Sequence, residues 1–148
     1  MELAFRRFQQ TNYPEYAAWF GDPELDRQLG PMDQAWLDAV LGQPESEGMT
    51  WAVFRNAELV AVIEIIFGAP DDPPICIAGI ATKPTLCKQG IATAVLKQLL
   101  DQHHSQGLHQ HVAYVAIHNE AARRCIERIG FVPTSAPNEH GYVEFQLG

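Results

Sequence analysis

Apolar residues recur along the chain with two periods, one typical of helices and the other of strands. Near the N-terminus, Tyr16, Trp19 and Phe20 have the spacing of one helix face, and polar residues able to cap a helix precede them. The N-terminal third is therefore predicted to hold a strand at residues 3–8, a helix at 11–20, a turn with a short helical piece at 21–30 and a helix at 32–42.

The longest apolar runs lie in the middle of the chain and predict strands. Residues 50–55 and 58–68 are separated by only two residues, which indicates a hairpin-like connection. A further strand is predicted at residues 75–82, after a proline-rich turn. Because this strand contains Gly79, we expect it to carry a bulge or to approach another backbone closely.

Helices and strands alternate in the C-terminal half. Helices are predicted at residues 89–105 and 120–129, and strands at 111–117, 130–137 and 141–147. The predicted order is a strand, two short helices, three strands, a helix, a strand, a helix and two strands. This order is typical of a mixed α/β layer fold.

Length and composition predict one globular domain over residues 1–148, because 148 residues with 47% hydrophobic content can bury a single core. No apolar run approaches the ~20 residues of a membrane span, and the first ten residues lack an apolar signal segment. Three cysteines without paired spacing argue against a disulfide framework. We therefore expect a reduced, cytoplasmic protein without a membrane partner.

The net charge of −8 is unevenly distributed. Residues 20–80 carry eleven acidic against two basic side chains, whereas residues 81–131 carry six basic against three acidic ones. The overall sign disfavours nucleic acid as the main partner. The asymmetry fits a protein that brings an anionic ligand and a cationic ligand together, one attracted by the basic segment and the other by the acidic segment. Solvated helix faces of different charge would give the same pattern.

The first candidate site is the turn between a predicted strand and the helix that starts near Gly90. Helix N-termini present unpaired N–H groups and a partial positive charge, so they bind phosphates. Gly90 has no side chain and Ala92 a small one, which would let a phosphate oxygen approach these amides. A Gly-x-Ala pair alone is common, and the turn has neither a P-loop nor a GxGxxG spacing.

A second motif lies downstream, where Asn119 begins a predicted helix, Ala122 follows three residues later and a Gly-Phe pair at 130–131 follows the helix. Together with the Gly-x-Ala turn at 90–92, these residues resemble the GNAT superfamily of acetyl-CoA-dependent N-acetyltransferases. The motif matches cover roughly residues 75–135. The resemblance implies an α/β (α+β) fold, with a mixed, mostly antiparallel central sheet flanked by helices.

The resemblance also implies acetyl-CoA as co-substrate and no metal. Backbone amides of residues 88–93 would hold the pyrophosphate of coenzyme A, the end of the strand at 80–82 would pair with the pantetheine arm, and Asn119 would hydrogen-bond to that arm. Asn119 is also a preferred helix cap without any ligand. The cofactor-binding residues implied are Ile80, Ala81, Thr82, Cys87, Lys88, Gln89, Gly90, Ile91, Ala92, Thr93, Asn119 and Ala122.

Two residues depart from the family pattern. Cys87 stands where similar proteins usually have Arg or Gln, and Ile126 stands where they often have the Tyr that acts as an acid. The predicted function is transfer of acetyl to a primary amine of a small cationic molecule or a peptide N-terminus by direct attack. The departures leave open a catalytically weakened acyl-CoA-binding sensor or interaction module. A homodimer is frequent among similar proteins.

The free energy of deprotonation indicates which catalytic group matters most. An alkylammonium group costs about 4–5 kcal/mol to deprotonate at pH 7, whereas a departing thiolate costs only about 2 kcal/mol. Glu64 is the leading candidate for the base, because it interrupts an apolar strand face and burial would raise its pKa. His118 is the alternative base. Tyr142 or Tyr114 could donate a proton, and a strand N–H near Gly79 could stabilise the oxyanion.

Four histidines lie close together in the chain, but their spacing fits no structural zinc pattern and no cysteine pair accompanies them. They are His103, His104, His109 and His111. We expect them to form a polar helix end, and we predict no metal.

Overall fold

The central element is a seven-stranded sheet in the order β1-β2-β3-β4-β5-β7-β6, seen in a computed structural model that describes residues 2–68 and 74–148. Its strands are β1 (Ala4–Arg7), β2 (Gly48–Arg55), β3 (Glu58–Ile66), β4 (Ile75–Thr82), β5 (His111–Ala116), β6 (Val132–Pro133) and β7 (Tyr142–Leu147). Neighbouring strands pair antiparallel except β4 and β5, which are parallel. The prediction of a mixed, mostly antiparallel sheet is confirmed.

Five α-helices flank this sheet within the described residues: α1 (Tyr13–Trp19), α2 (Pro23–Leu29), α3 (Gln34–Gly42), α4 (Ile91–Ser105) and α5 (Glu120–Ile129). None of them combines the length and apolarity that a membrane span requires. The region predicted as a turn with a helical piece forms the complete helix α2. Its N-terminus is capped by Asp22, whose Oδ2 accepts a hydrogen bond from the Leu25 amide at 3.0 Å.

The helices divide between the two faces of the sheet because the β3 side chains alternate in direction. Ile63 and Ile65 pack with residues of α4 and α5, including Val95 and Ile126. Val62, on the opposite face, packs with the aromatic side chains of α1 and the apolar side chains of α3. Glu64 therefore belongs to the face that α1–α3 cover.

A β-bulge in β4 lies next to Glu64. Glu64 pairs with Gly79, whereas the next residue of β3 pairs with Ile77, so Ala78 has no partner on β3. A Cβ atom added to Gly79 would lie 3.4 Å from Oε2 of Glu64 and 3.2 Å from Cδ2 of Leu29. The expected bulge is therefore confirmed, whereas the atoms that come close to Gly79 belong to side chains and not to another backbone.

β4 and β5 separate just beyond this bulge. Their pairing covers only Ile75–Ile77 of β4 and residues 111–113 of β5. Beyond it, residues 79–82 of β4 pair with β3 alone and residues 114–116 of β5 pair with β7 alone. We call the opening between these two segments the β4–β5 cleft.

Several predicted boundaries differ from the observed ones. α4 begins at Ile91, two residues later than predicted, because Gly90 has a left-handed backbone (φ 79°) that a helix cannot include. The strand predicted at 130–137 is only two residues long, in part because Pro133 and Pro137 lack the N–H groups that extend a ladder. The predicted proline-rich turn falls mostly on residues 69–73, which lie outside the described part of the chain.

The expectation that the four histidines form a polar helix end is wrong for two of them, because these two are buried. His103 and His111 are only 6% and 1% exposed. Their rings are stacked, and Nδ1 of His103 lies 2.8 Å from Nε2 of His111. Burial chiefly lowers the pKa of both imidazoles, to about 4 for His111, and the neighbouring histidines add to the effect.

This pair should make the fold sensitive to acid. The unfolded chain binds protons near pH 6.5, whereas folded His111 stays neutral down to about pH 4, so stability falls as the pH drops between these values. We expect a loss of about 2 kcal/mol in the free energy of unfolding between pH 7 and pH 5, measured by urea denaturation. A His111→Gln variant should lose less of its unfolding free energy between pH 7 and pH 5. A His118→Gln control, at an exposed position, should lose as much as the wild-type protein. An equal slope in all three proteins would contradict the assignment.

Candidate active site

The N-terminus of α4 is an open array of backbone donors. Gly90 occupies the N-cap with its left-handed backbone, and no side chain caps the helix. The first amides of α4 therefore have no partner from the cap, as an anion site requires. Lys88 also has a positive φ of 65°, which gives the preceding turn an irregular backbone.

The residues predicted to hold a pyrophosphate surround this helix start, and most are accessible. Cys87, Lys88, Gln89 and Gly90 are exposed, and Ala92 and Thr93 are half-buried. Ile91 is the exception, since its side chain lies in the core and only its backbone faces the turn. A Cβ at Gly90 would meet no atom within 4 Å, so glycine is favoured there by its φ angle and the space before the amides is open.

The predicted pantetheine strand forms one wall of the β4–β5 cleft. Ile80 and Thr82 are half-buried and Ala81 is buried. Their hydrogen bonds run to β3, so the edge of β4 that faces the cleft has no strand partner among the described residues. Backbone N–H and C=O groups along such an edge can pair with an extended ligand.

Asn119 caps α5. Its Oδ1 accepts a hydrogen bond from the Ala122 amide at 3.2 Å, so the interpretation as a helix cap is realised in the structure. The Nδ2 group of the same side chain is not needed for the cap. The structure thus places Ala122 under the cap, where it packs against the core.

Glu64 lies at the apex of the β4–β5 cleft, over the bulge. Its Oε1 accepts a hydrogen bond from Nε1 of Trp36 at 3.0 Å. Burial raises the pKa of this carboxyl above its usual range, and the Trp36 hydrogen bond opposes that effect only in part. The pKa of the buried Tyr16 hydroxyl is also raised, by burial and by the charge of Glu64.

A groove of about 410 Å³ opens beside Glu64. One wall is formed by α3 and the loop that follows it, through residues such as Trp36 and Val40, and the other wall by Ile66 and Ala78. Its volume falls in the range of about 300–1,000 Å³ that is typical of small-molecule sites. The groove therefore brings a carboxylate of raised pKa, the bulged backbone of β4 and solvent access together.

The other proton-transfer candidates lie at the far end of β5. His118 is exposed in the loop before α5. Tyr142 pairs with Ala116 at the start of β7 and is 41% exposed. The Tyr114 hydroxyl donates a hydrogen bond to Glu144 at 3.0 Å, which chiefly accounts for the raised pKa of Tyr114. None of the three lines the groove beside Glu64.

A family model described as an acetyltransferase (GNAT) domain matches residues 2–132. The chain belongs to the GNAT family of acetyltransferases. No curated protein sequence matches it significantly. Because acetyl-CoA is the general acyl donor of GNAT proteins, the uncapped α4 start and the unpaired edge of β4 are the features that fit this donor.

Solved structures of GNAT proteins share the fold at low sequence identity. The ribosomal-protein-S18-alanine N-acetyltransferase of Escherichia coli is 19% identical, with a TM-score of 0.70 over 99% of this chain and 92% of that protein. An acetyltransferase of Thermus thermophilus is 14% identical, with a TM-score of 0.82 over 99% and 96%. An aminoglycoside acetyltransferase solved with coenzyme A is 12% identical, with a TM-score of 0.79 over 99% and 94%.

Sequence reasoning missed two parts of this GNAT site. Trp36 belongs to the apolar stripe of α3, and its periodicity predicts a core residue and not a hydrogen-bond donor to a carboxylate 28 residues away. The separation of β4 and β5 had only the glycine at 79 as a local signal. Among the described residues, no group of three or more His, Cys, Asp or Glu side chains could hold a metal ion.

Proposed function

We propose that the chain transfers acetyl from acetyl-CoA to a primary amine by direct attack, with Glu64 as the general base. The observation that supports this most is the position of Glu64. A half-buried carboxyl of raised pKa lies over the β4 bulge, at the point where β4 and β5 separate and beside an open groove. A base of raised pKa is better matched to an amine proton at neutral pH.

The binding of the donor is assigned to the backbone. The amides of residues 88–93 would hold the pyrophosphate, and Lys88, which is exposed in the turn before α4 and has no ion pair among the described residues, would add a positive charge. Lys83 contributes less, because its Nζ forms an ion pair with Glu58 at 2.9 Å. The edge of β4 at 80–82 and Asn119 would hold the pantetheine arm. The donor supplies an acetyl thioester, and the chain orients its carbonyl group.

The bulge provides the stabilisation of the developing oxyanion in this proposal. A backbone N–H near Gly79 needs no particular side chain, and a fixed donor at the reacting carbonyl is worth about 3–4 kcal/mol in comparable sites. Because Ala78 has no partner on β3 and the β4–β5 pairing has ended, the backbone here is not committed to a regular ladder on both sides.

The leaving thiolate needs a proton donor other than the frequent family Tyr. Ile126 occupies the position of the frequent family Tyr, and its side chain is buried in the core. His118 and Tyr142 stay proposed as proton-transfer residues because they lie beyond the open end of β5, near Asn119. Their contribution is expected to be smaller than that of the base, because an unprotonated thiolate costs only about 2 kcal/mol at pH 7, less than deprotonation of the amine.

We expect free thiol to be released when the protein is mixed with acetyl-CoA and a panel of primary amines. Coenzyme A alone at one hundred times its dissociation constant should stabilise the fold by about 2.7 kcal/mol, measured by thermal denaturation. Stabilisation without thiol release from any amine would instead support the acyl-CoA-binding module that Cys87 and Ile126 left open. The absence of both stabilisation and thiol release would refute both functions.

A further inference from the structure

The groove beside Glu64 has a second acidic residue in its lining. Glu47 lines the same groove, in the loop between α3 and β2. Its carbonyl oxygen accepts a hydrogen bond from the Phe67 amide at 2.9 Å, so Glu47 lies beside the end of β3. Phe67 follows Glu64 by three residues, which places the backbones of the two acids about 10 Å apart along the strand.

The charge of the groove is entirely negative. In the part of the chain that the structure describes, Glu47 and Glu64 are the ionisable residues that line it, and no lysine or arginine is among them. Arg7 of β1 contacts this loop, where it forms an ion pair with Glu45 at 2.7 Å and donates a hydrogen bond to the carbonyl oxygen of Gln43. Among the described residues, the Glu47 carboxylate makes no hydrogen bond or ion pair. The charge of this exposed lining residue is therefore uncompensated by any such contact.

The segment between the two acids is apolar. Val40 and Pro44 line one side and Ile66 the other, and Ile66 is 48% exposed although it is a large apolar residue. An exposed apolar strip between two acidic residues is complementary to a methylene chain that ends in two ammonium groups. A monoamine has no second ammonium group to pair with Glu47.

We infer that the groove takes a small molecule with two amino groups, whose reacting amine lies at Glu64 and whose distal ammonium lies at Glu47. This assignment rests on the proposed function. It adds the acceptor class to that function: an α,ω-diamine whose spacer follows Val40, Pro44 and Ile66. Glu47 is a specificity residue that touches the acceptor away from the reacting atoms.

The test compares diaminooctane and diaminopropane with n-octylamine as acceptors. Wild-type protein should have the highest kcat/KM for diaminooctane, because only that acceptor spans both carboxylates. Glu47→Gln should reduce kcat/KM for diaminooctane by about two- to fivefold with little change for n-octylamine, and Glu47→Lys should reduce it further. The effect should appear mainly in KM and should weaken at high salt.

Glu15→Gln provides a control, since it removes the same charge from an exposed position in α1 that does not line the groove. It should leave the preference for diaminooctane unchanged. Equal losses in both variants, or a preference unchanged in Glu47→Gln, would overturn the assignment of Glu47.

Calorimetric binding separates this inference from the proposed function. If no amine releases thiol from acetyl-CoA, direct titration of diaminooctane into wild-type protein and Glu47→Gln still measures the acceptor site. Tighter binding by wild-type protein would then support the groove and refute the transferase. Turnover of n-octylamine and diaminooctane at equal kcat/KM would support the transferase and refute the second subsite.

Discussion

Glu64→Gln should lower kcat for acetyl transfer by about 10²–10⁴-fold, the range that a positioned general base contributes. The substitution removes the group that accepts the amine proton and preserves its size. Trp36 can still donate to the remaining side-chain oxygen, so the packing around α3 should survive. Steady-state thiol release, with the amine that gives the highest wild-type rate, measures this effect.

The pH profile of the same variant gives a second readout. Because burial raises the pKa of Glu64, the wild-type kcat/KM should rise with pH through that raised pKa as the base loses its proton. The Gln variant should lack this acidic limb. Glu15→Gln, at an exposed position in α1, should keep both the rate and the limb. A variant at position 64 with wild-type turnover would refute the assignment of the base.

Gly90→Asp should weaken coenzyme A binding by one to two orders of magnitude. Its carboxylate would stand at the uncapped N-terminus of α4, where it would satisfy the free amides and repel the pyrophosphate. The CoA-dependent gain in thermal stability should therefore be largely lost at ligand concentrations that saturate the wild-type protein. Asp also tolerates a left-handed backbone better than most residues, so the fold should persist.

Gly107→Asp is the matched control for this prediction. Gly107 follows the other end of α4, has a φ of 81° and also has open space around a would-be Cβ atom. Both substitutions therefore add the same charge and comparable backbone strain to one helix. Equal CoA affinity of the two variants would show that the α4 start does not hold the phosphates.

The candidate site could be predicted from the sequence to the extent that local pattern determines it. Glu64 was identifiable because a carboxyl interrupts an apolar row that alternates with the strand period, and Gly90 because it precedes a strongly amphipathic helix. The motif at 119–131 predicted the family, which the family model confirms. The prediction for the histidines was wrong, because nothing in their spacing indicated that two of them are buried and stacked.

Trp36 and the β4–β5 cleft mark the limit of local pattern. Trp36 has the same helical spacing whether it is a core residue or a hydrogen-bond donor. Only the packing of α3 across β3 turns its indole N–H toward Glu64. The cleft depends on where a parallel pair ends, and that pair joins strands whose first residues, Ile75 and His111, are far apart in the chain. No nearby residue carries this information.

The sequence by itself determined most of the order of helices and strands, the glycine that precedes α4 and the buried direction of Glu64. These features follow from backbone sterics and from side-chain periods of 2 and 3.6 residues, which act between near neighbours. Only the tertiary structure decided that Glu64 lies over the β4 bulge, under Trp36 and in one groove with Glu47. Those relations depend on strand register and helix packing, which form between distant segments because the whole core buries its apolar surface at once.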